Sequence, residues 1–221
     1  MADLRRTQDP GLPAHAAWRI QRTASDDHRG PRRPRRTGAT ELDTTHGHVR
    51  RERIQRAAAE RAWLAESKIA PRERIGVIGG SYGGFMTLAA IAFFAERGWA
   101  AAVDVYGIAN FLTFFEHTAE WRRPLRAVEY GDPQKDRDVL VAISPITRLD
   151  AIKAPLMVIH GANDPRVPIQ ETEQIVAALR TKGRDVEYLR YEDEGHSLAK
   201  AKNRAHAYPR VLAFFQRHMG A

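Results

Sequence analysis

Ser81 lies in a Gly-x-Ser-x-Gly pattern, with Gly79 and Gly83 two residues before and after it. The apolar run 75–78 comes just before this pattern and predicts a buried strand, and the apolar residues after it predict a helix. A serine on a sharp turn from strand to helix exposes its hydroxyl and can act as a nucleophile. We expect the two glycines to let neighbouring backbone approach without a Cβ clash. The pattern therefore predicts a nucleophile elbow at Ser81.

An acid and a histidine follow Ser81 at the ends of two further predicted strands. Asp164 comes shortly after the apolar run 156–159, and His196 comes after the strand pattern 186–191. His196 could take the proton of the serine while Asp164 fixes the imidazole tautomer. Taken alone, Asp164 could instead cap a helix and His196 could be a surface histidine. The order serine, acid, histidine at three strand ends favours a catalytic triad.

Residues 51–221 resemble the catalytic domain of the prolyl oligopeptidase family of serine peptidases, and especially its acylaminoacyl-peptidase-like bacterial members. The segments that carry the resemblance are 74–84, 144–147, 160–168 and 191–196. The resemblance implies an α/β-hydrolase fold, a parallel sheet flanked by helices. It also implies that Ser81 is the nucleophile, that Asp164 and His196 are its partners, and that the backbone N–H of Tyr82 is one oxyanion donor.

Six further residues are candidates for binding the substrate. The resemblance implies that Arg166, with Val167 beside it, contacts a backbone carbonyl of the substrate; a guanidinium suits this role because it is always charged and offers fixed donors. A solvated loop arginine is the open alternative. Four aromatic residues follow the strand after the elbow, where the family builds its primary pocket: Phe111, Phe114, Phe115 and Trp121. They could hold an apolar side chain, or they could be ordinary core packing. His160 is interpreted as structural.

Composition excludes several classes of function. The chain has 221 residues and no cysteine, so it has no disulfides, thiol chemistry or thiolate metal site. No stretch approaches the roughly 18 apolar residues of a membrane span, and the N-terminus has no signal-peptide pattern. We therefore expect a cytoplasmic location and no membrane partner. His46 and His48 have no partner cluster, so no metal site is predicted, and the reaction class needs no cofactor.

The N-terminal segment 1–50 differs from the rest of the chain. Of the net charge of +8, residues 1–70 contribute 15 Lys and Arg against 9 Asp and Glu, while residues 71–221 contribute 20 against 18. The Arg- and Pro-rich cluster 29–36 predicts disorder, because it cannot bury enough apolar surface to fold. It could be an arm that binds nucleic acid or another polyanion. The fourteen arginines without a lysine before Lys68 instead favour a segment read outside its native frame or from a wrong start.

The alternation of strands and helices predicts a doubly wound α/β sheet with four parallel strands. We expect strands at 75–78, 101–106, 156–159 and 186–191, and helices at 50–68, 82–97, 171–182 and 208–218. Arg61 interrupts the apolar side of the first of these helices. Residues 107–155 form an excursion with short helices, one of which is expected to begin at Asp132 and Pro133.

The α/β-hydrolase fold has additional strands before the elbow, and the sequence shows no counterpart of them. We therefore expect a catalytic domain, 51–221, that is truncated at its N-terminal side and has an exposed sheet edge open to self-association. The loop that supplies the second oxyanion donor has no counterpart either, and losing one donor costs on the order of 10²–10³ in rate.

The expected function is that of a serine peptidase that hydrolyses short peptides or acylated amino acids through an acyl-enzyme. A carboxylesterase of the same fold, and a non-catalytic truncated remnant, remain alternatives.

Overall fold

Four parallel strands form the sheet that the sequence predicts. A computed structural model describes residue 59 and residues 61–220, except the side chain of Arg97. The strands are β1 (Val77–Gly80), β2 (Ala102–Val105), β3 (Leu156–Gly161) and β4 (Val186–Tyr191), and they lie in the order β1-β2-β3-β4. Each neighbouring pair is parallel. The prediction of four parallel strands is therefore confirmed. The segment 1–50, with His46 and His48, lies outside the described residues.

Six α-helices lie between and after the strands. They are α1 (Tyr82–Phe93), α2 (Phe111–His117), α3 (Arg123–Tyr130), α4 (Arg137–Ile143), α5 (Gln170–Thr181) and α6 (Ala201–Met219). Residues 61–66 are also helical. Helix α1 is buried over most of its length, as its nearly continuous apolar sequence predicts.

The sheet has a hydrophobic core on each face, and β3 contributes to both. Leu156 and Val158 pack in a cluster with residues of α1 and α5. Met157 and Ile159, which alternate with them, pack in a second cluster with residues of α6. Because helices cover both faces, the strand has no solvent side and its sequence is a continuous apolar run.

Three local predictions need correction. Residues 133–135 form a turn, because Asp132 Oδ1 accepts the backbone N–H groups of Gln134 and Lys135, and α4 begins only at Arg137. Helix α6 begins seven residues before the predicted start and continues through Pro209. Arg61 is no interruption of an apolar side: it is 2% exposed, and its guanidinium donates to two backbone carbonyl groups.

Strand β1 lies at the edge of the sheet. Among the strands that the structure describes, it pairs only with β2, and Ile78 is 43% exposed. Self-association through this edge stays a prediction.

Within the residues that the structure describes, no helix is both long and apolar enough to cross a membrane.

Candidate active site

Ser81 occupies a strained turn between β1 and α1. Its backbone has φ 58° and ψ −119°, a conformation that residues other than glycine rarely adopt. Two hydrogen bonds hold this backbone: the Ser81 N–H donates to Val105 O at 2.9 Å, and Ser81 O accepts from the Phe85 N–H at 3.0 Å. Strain of this kind persists only where the surrounding structure enforces it. The turn is the predicted elbow, and it places the serine directly after the carboxyl end of β1.

Two glycines permit the turn, but they are not the two that the pattern suggests. A Cβ on Gly79 would lie 2.2 Å from Gly83 O, so this position tolerates only glycine. A Cβ on Gly83 itself would meet no atom within 4 Å, and the prediction for this residue is wrong. The second close approach occurs at Gly84, where a Cβ would lie 2.4 Å from Asp104 Oδ1 and 2.7 Å from Gly107 Cα. The first turn of α1 therefore presses against the residues around the end of β2.

The structure brings Ser81, His196 and Asp164 into one chain of hydrogen bonds. His196 Nε2 lies 2.9 Å from Ser81 Oγ, and His196 Nδ1 lies 2.7 Å from Asp164 Oδ2. Because a carboxylate only accepts, Nδ1 carries the proton and Nε2 of the neutral ring can accept from the serine hydroxyl. The three residues follow β1, β4 and β3, whose carboxyl ends meet at one edge of the parallel sheet. The Tyr106 ring packs on His196 with 4.6 Å between centroids.

Asp164 is held as a buried carboxylate. Its side chain is fully buried, which by itself raises the pKa of the carboxyl group. Hydrogen bonds from His160, His196 and the backbone N–H groups of Val167 and Arg166 outweigh this burial, so the pKa lies well below its usual range. The two backbone bonds reach Oδ1 at 2.8 Å from Arg166 and 3.0 Å from Val167. Asp164 therefore stays ionised and can stabilise an imidazolium at His196.

Glu194 orders the loop that carries His196. The residue is 2% exposed, and its carboxylate accepts from the N–H groups of Ala199 at 3.0 Å and Lys200 at 2.8 Å, and from Asn203 Nδ2 at 2.8 Å. Burial raises the pKa of Glu194, but these donors outweigh it and the net shift is downward. Its backbone carbonyl also accepts from the Asn163 N–H at 3.0 Å, which ties the His196 loop to the Asp164 loop. Sequence reasoning missed this residue, because an acidic residue before a glycine carries no signal of such contacts.

Four of the predicted substrate-binding residues lie in the core instead. They are at most 3% exposed and belong to one cluster, which also contains Phe85 and Tyr130: Phe111, Phe114, Phe115 and Val167. Because these side chains have at most 3% accessible surface and pack in the core, we reassign the four residues from substrate binding to packing. Val167 contributes to the site only through its backbone.

The remaining two substrate-binding candidates, Arg166 and Trp121, and the predicted oxyanion donor Tyr82 have accessible or helix-terminal positions. Tyr82 is the first residue of α1, so its backbone N–H lies at the positive end of the helix dipole. The Arg166 side chain is exposed and makes no hydrogen bond or ion pair within the described part of the chain. Trp121 is 67% exposed, with the Arg122 guanidinium 4.3 Å from the centre of its ring. Their roles stay predictions. Within residues 61–220, no group of three His, Asp or Glu side chains is arranged to hold a metal ion.

A parallel α/β sheet with a strained serine at its edge defines the α/β-hydrolase class. Within this class, the sequence profile of the Prolyl oligopeptidase family matches residues 45–221. The chain therefore belongs to the prolyl oligopeptidase family, a family of serine peptidases.

Relatives and solved structures of this family cover most of the described residues. Dipeptidyl aminopeptidase BIII from Pseudoxanthomonas mexicana is 36% identical over 154 residues, which are 64% of this chain and 21% of the relative. The acylamino-acid-releasing enzyme of Arabidopsis thaliana is 28% identical over 163 residues, 69% of this chain and 21% of the relative. A puromycin-hydrolysing peptidase of Mycobacterium tuberculosis superposes with a TM-score of 0.71 at 29% identity, over 76% of this chain and 25% of that one. The chain thus spans about a fifth of the length of these two curated relatives.

Proposed function

We propose that this chain carries the catalytic triad of a serine peptidase, with Ser81 as nucleophile, His196 as general base and Asp164 as the residue that orients the base. The observation that carries the proposal is the continuous hydrogen-bonded path from Ser81 Oγ through the imidazole to the Asp164 carboxylate, at 2.9 Å and 2.7 Å. These are distances at which a nucleophile, base and orienting acid work together.

In the first step, His196 Nε2 accepts the Ser81 proton while the serine oxygen attacks the carbonyl carbon of the substrate. The carbonyl oxygen becomes an oxyanion, and the N–H of Tyr82 at the start of α1 is the proposed donor to it. The imidazolium forms beside Asp164, whose depressed pKa keeps a full negative charge next to it. The charge of the carboxylate therefore offsets the charge that develops on His196.

Breakdown of this intermediate gives the acyl-enzyme. The imidazolium protonates the leaving amine, the carbon–nitrogen bond breaks and the acyl group stays on Ser81. Water then attacks the ester with His196 again as base, and the serine leaves with the returned proton. Each step moves one proton through Nε2 of His196, so no metal or cofactor enters the scheme.

The proposed substrates are short peptides or acylated amino acids. This choice is supported by relatives named as a dipeptidyl aminopeptidase and an acylamino-acid-releasing enzyme. Arg166 is the proposed ligand of a substrate carbonyl, because its exposed guanidinium stands two residues after the acid. Trp121 is the remaining aromatic candidate for contact with an apolar substrate side chain.

The proposal is tested by hydrolysis assays on the full chain. A dipeptidyl p-nitroanilide, an N-acetyl-aminoacyl p-nitroanilide and a p-nitrophenyl ester are compared for the wild type and Ser81→Ala. We expect one of the anilides to be cleaved by the wild type and not by the variant. Turnover of the ester alone would instead indicate a carboxylesterase. No turnover of any substrate by folded protein would contradict the proposal.

A further inference from the structure

His160 lies beside the carboxylate of the proposed triad rather than in an isolated core position. It is on β3 and is completely buried, and both ring nitrogens have polar partners. Nδ1 lies 2.6 Å from the hydroxyl of Thr172. Nε2 lies 3.0 Å from Val167 O and 3.3 Å from Asp164 Oδ2, the oxygen that also faces His196.

These partners determine where the His160 proton sits. Val167 O is a carbonyl and Asp164 is ionised, so both neighbours of Nε2 only accept. Nε2 must therefore carry a proton, which it donates to Val167 O at 3.0 Å with Asp164 Oδ2 beside it at 3.3 Å. In the neutral ring, Nδ1 then accepts from the hydroxyl of Thr172, which is itself completely buried. Val167 O and Asp164 thereby select the tautomer, and the hydroxyl of Thr172 supplies the donor that this tautomer needs at Nδ1.

We propose that His160 is a positioning residue that acts through Asp164, by holding the Oδ2 atom in the place where it accepts from His196. The inference rests on the proposed function. Among the described residues, Oδ1 accepts from two backbone N–H groups, whereas Oδ2 is approached only by side-chain nitrogens, that of His196 at 2.7 Å and that of His160 at 3.3 Å. His196 must change its protonation state during the reaction. His160, which is immobilised at both nitrogens, is the donor that can hold Oδ2 throughout.

The other groups around His160 are consistent with this role. The titratable groups that face it are Asp164, Asp104 on β2 and the Tyr106 phenol after β2, while α5 presents the neutral hydroxyl of Thr172. The Tyr106 ring meets the imidazole edge-on, with 6.2 Å between centroids. The ring of His160 is therefore enclosed on all these sides and cannot turn away from Asp164 without breaking its bond to Thr172.

Paired substitutions separate positioning from packing. The amide nitrogen of a glutamine can reach the place of imidazole Nε2, whereas that of an asparagine reaches only the place of Nδ1. His160→Gln should therefore keep the donor to Asp164, and His160→Asn should lose it. Thr172→Val removes the hydroxyl that donates to Nδ1 and holds the ring of His160 in place. Thr118→Val is its control, because Thr118 is 3% exposed and its hydroxyl has no hydrogen-bond partner among the described residues.

Two readouts are measured on the full-length variants. The first is the second-order rate of fluorophosphonate labelling at Ser81. We expect about a tenfold decrease for His160→Asn, because a hydrogen bond to a charged group contributes about that factor, and a decrease of less than about threefold for His160→Gln. The second is the downfield NMR resonance of the His196 Nδ1 proton, which we expect to be sharp in the wild type and in His160→Gln and broadened by solvent exchange in His160→Asn. Thr172→Val should lower the labelling rate and broaden the resonance, as His160→Asn does, whereas Thr118→Val should change neither readout.

The outcomes distinguish the inference from the function on which it rests. Wild-type rates and a sharp resonance in folded His160→Asn would overturn the inference. Equal losses in the Asn and Gln variants, in step with a lower melting temperature, would make His160 a packing residue only. A wild type that does not label but shows a resonance sensitive to His160→Asn would contradict the proposed function and leave the inference standing. If the wild type shows neither label nor resonance, both are wrong.

Discussion

Asp104, next to the elbow, is a buried acid whose ionised form destabilises the folded state. The residue is completely buried on β2; Oδ1 accepts the Gly107 N–H at 2.9 Å, and Oδ2 has no hydrogen-bond partner in the described part of the chain. Burial raises the pKa of Asp104 from 3.8 to about 7, although the proximity of His160 and the bond from Gly107 act in the opposite direction. We predict that Asp104→Asn stabilises the protein at neutral and alkaline pH, because asparagine has the shape of the protonated acid and never ionises.

The size and sign of the effect follow from the two pKa values. Between about pH 4 and pH 7 the folded state binds a proton that the unfolded state has released, so stability falls as the pH rises through this window. A shift of about three units corresponds to a total of about 4 kcal/mol. Of this, about 2.5 kcal/mol is lost between pH 5 and pH 8. The variant should escape that loss.

Urea unfolding at pH 5 and pH 8 measures the effect. We expect the free energy of unfolding of Asp104→Asn to exceed that of the wild type by about 2.5 kcal/mol more at pH 8 than at pH 5, which means that the variant is stabilised at the higher pH. Asp150→Asn is the control, because the Asp150 side chain is 89% exposed and its ion pair with Lys182 is a surface pair worth at most about 1 kcal/mol. The electrostatic reasoning is wrong if the advantage of Asp104→Asn is the same at both pH values.

Three further predictions concern the site. Gly79→Ala should lower the melting temperature and abolish labelling of Ser81, because the new Cβ would lie 2.2 Å from Gly83 O. In Gly83→Ala the new Cβ meets no atom within 4 Å, so labelling should be unchanged and the melting temperature unchanged or higher. Equal effects of the two substitutions would contradict this prediction. Asp164→Asn should keep the fold, by circular dichroism, and lower the labelling rate by about 10³-fold or more; a near wild-type rate would exclude its proposed role. Glu194→Gln should lower the free energy of unfolding by roughly 1–3 kcal/mol and slow the labelling of Ser81, because the buried carboxylate accepts backbone N–H groups of the His196 loop. The exposed Glu192→Gln is the control and should change neither. Wild-type behaviour of Glu194→Gln would show that the His196 loop needs no charge at this position.

The sheet and the strand-end positions of the site could be predicted from the sequence. A strand such as β3, covered by helices on both faces, is expected to be mostly apolar, and its apolar run 156–159 is visible without any structure. Ser81, Asp164 and His196 each follow a strand of the parallel sheet, so their meeting at the carboxyl ends of the strands follows from parallel pairing alone.

The contacts that depend on tertiary packing could not be predicted. Glu171 illustrates why: its buried carboxylate accepts the Ala109 N–H from a residue 62 positions earlier, and the local sequence gives no sign of that partner. Phe114 and Trp121 are both large aromatic residues close together in the sequence, yet Phe114 is fully buried and Trp121 is 67% exposed. Their difference is set by which side of the excursion faces α1, a matter of packing and not of residue type.

The roles of the elbow glycines also depend on packing that the sequence does not show. The motif suggests symmetric roles for Gly79 and Gly83, but the close approaches occur at Gly79 and Gly84. Spacing in the sequence identifies the turn, whereas the direction of α1 relative to β2 decides which Cβ would clash.

Labelling of the purified full chain with a fluorophosphonate, followed by intact-mass measurement and peptide mapping, tests the central claim most directly. The account predicts a single adduct on Ser81 that is absent in Ser81→Ala and in heat-denatured protein, because only a serine activated by His196 in the folded site reacts. A folded chain that gains no adduct, or an adduct that persists in Ser81→Ala, would contradict the claim that this geometry activates the serine.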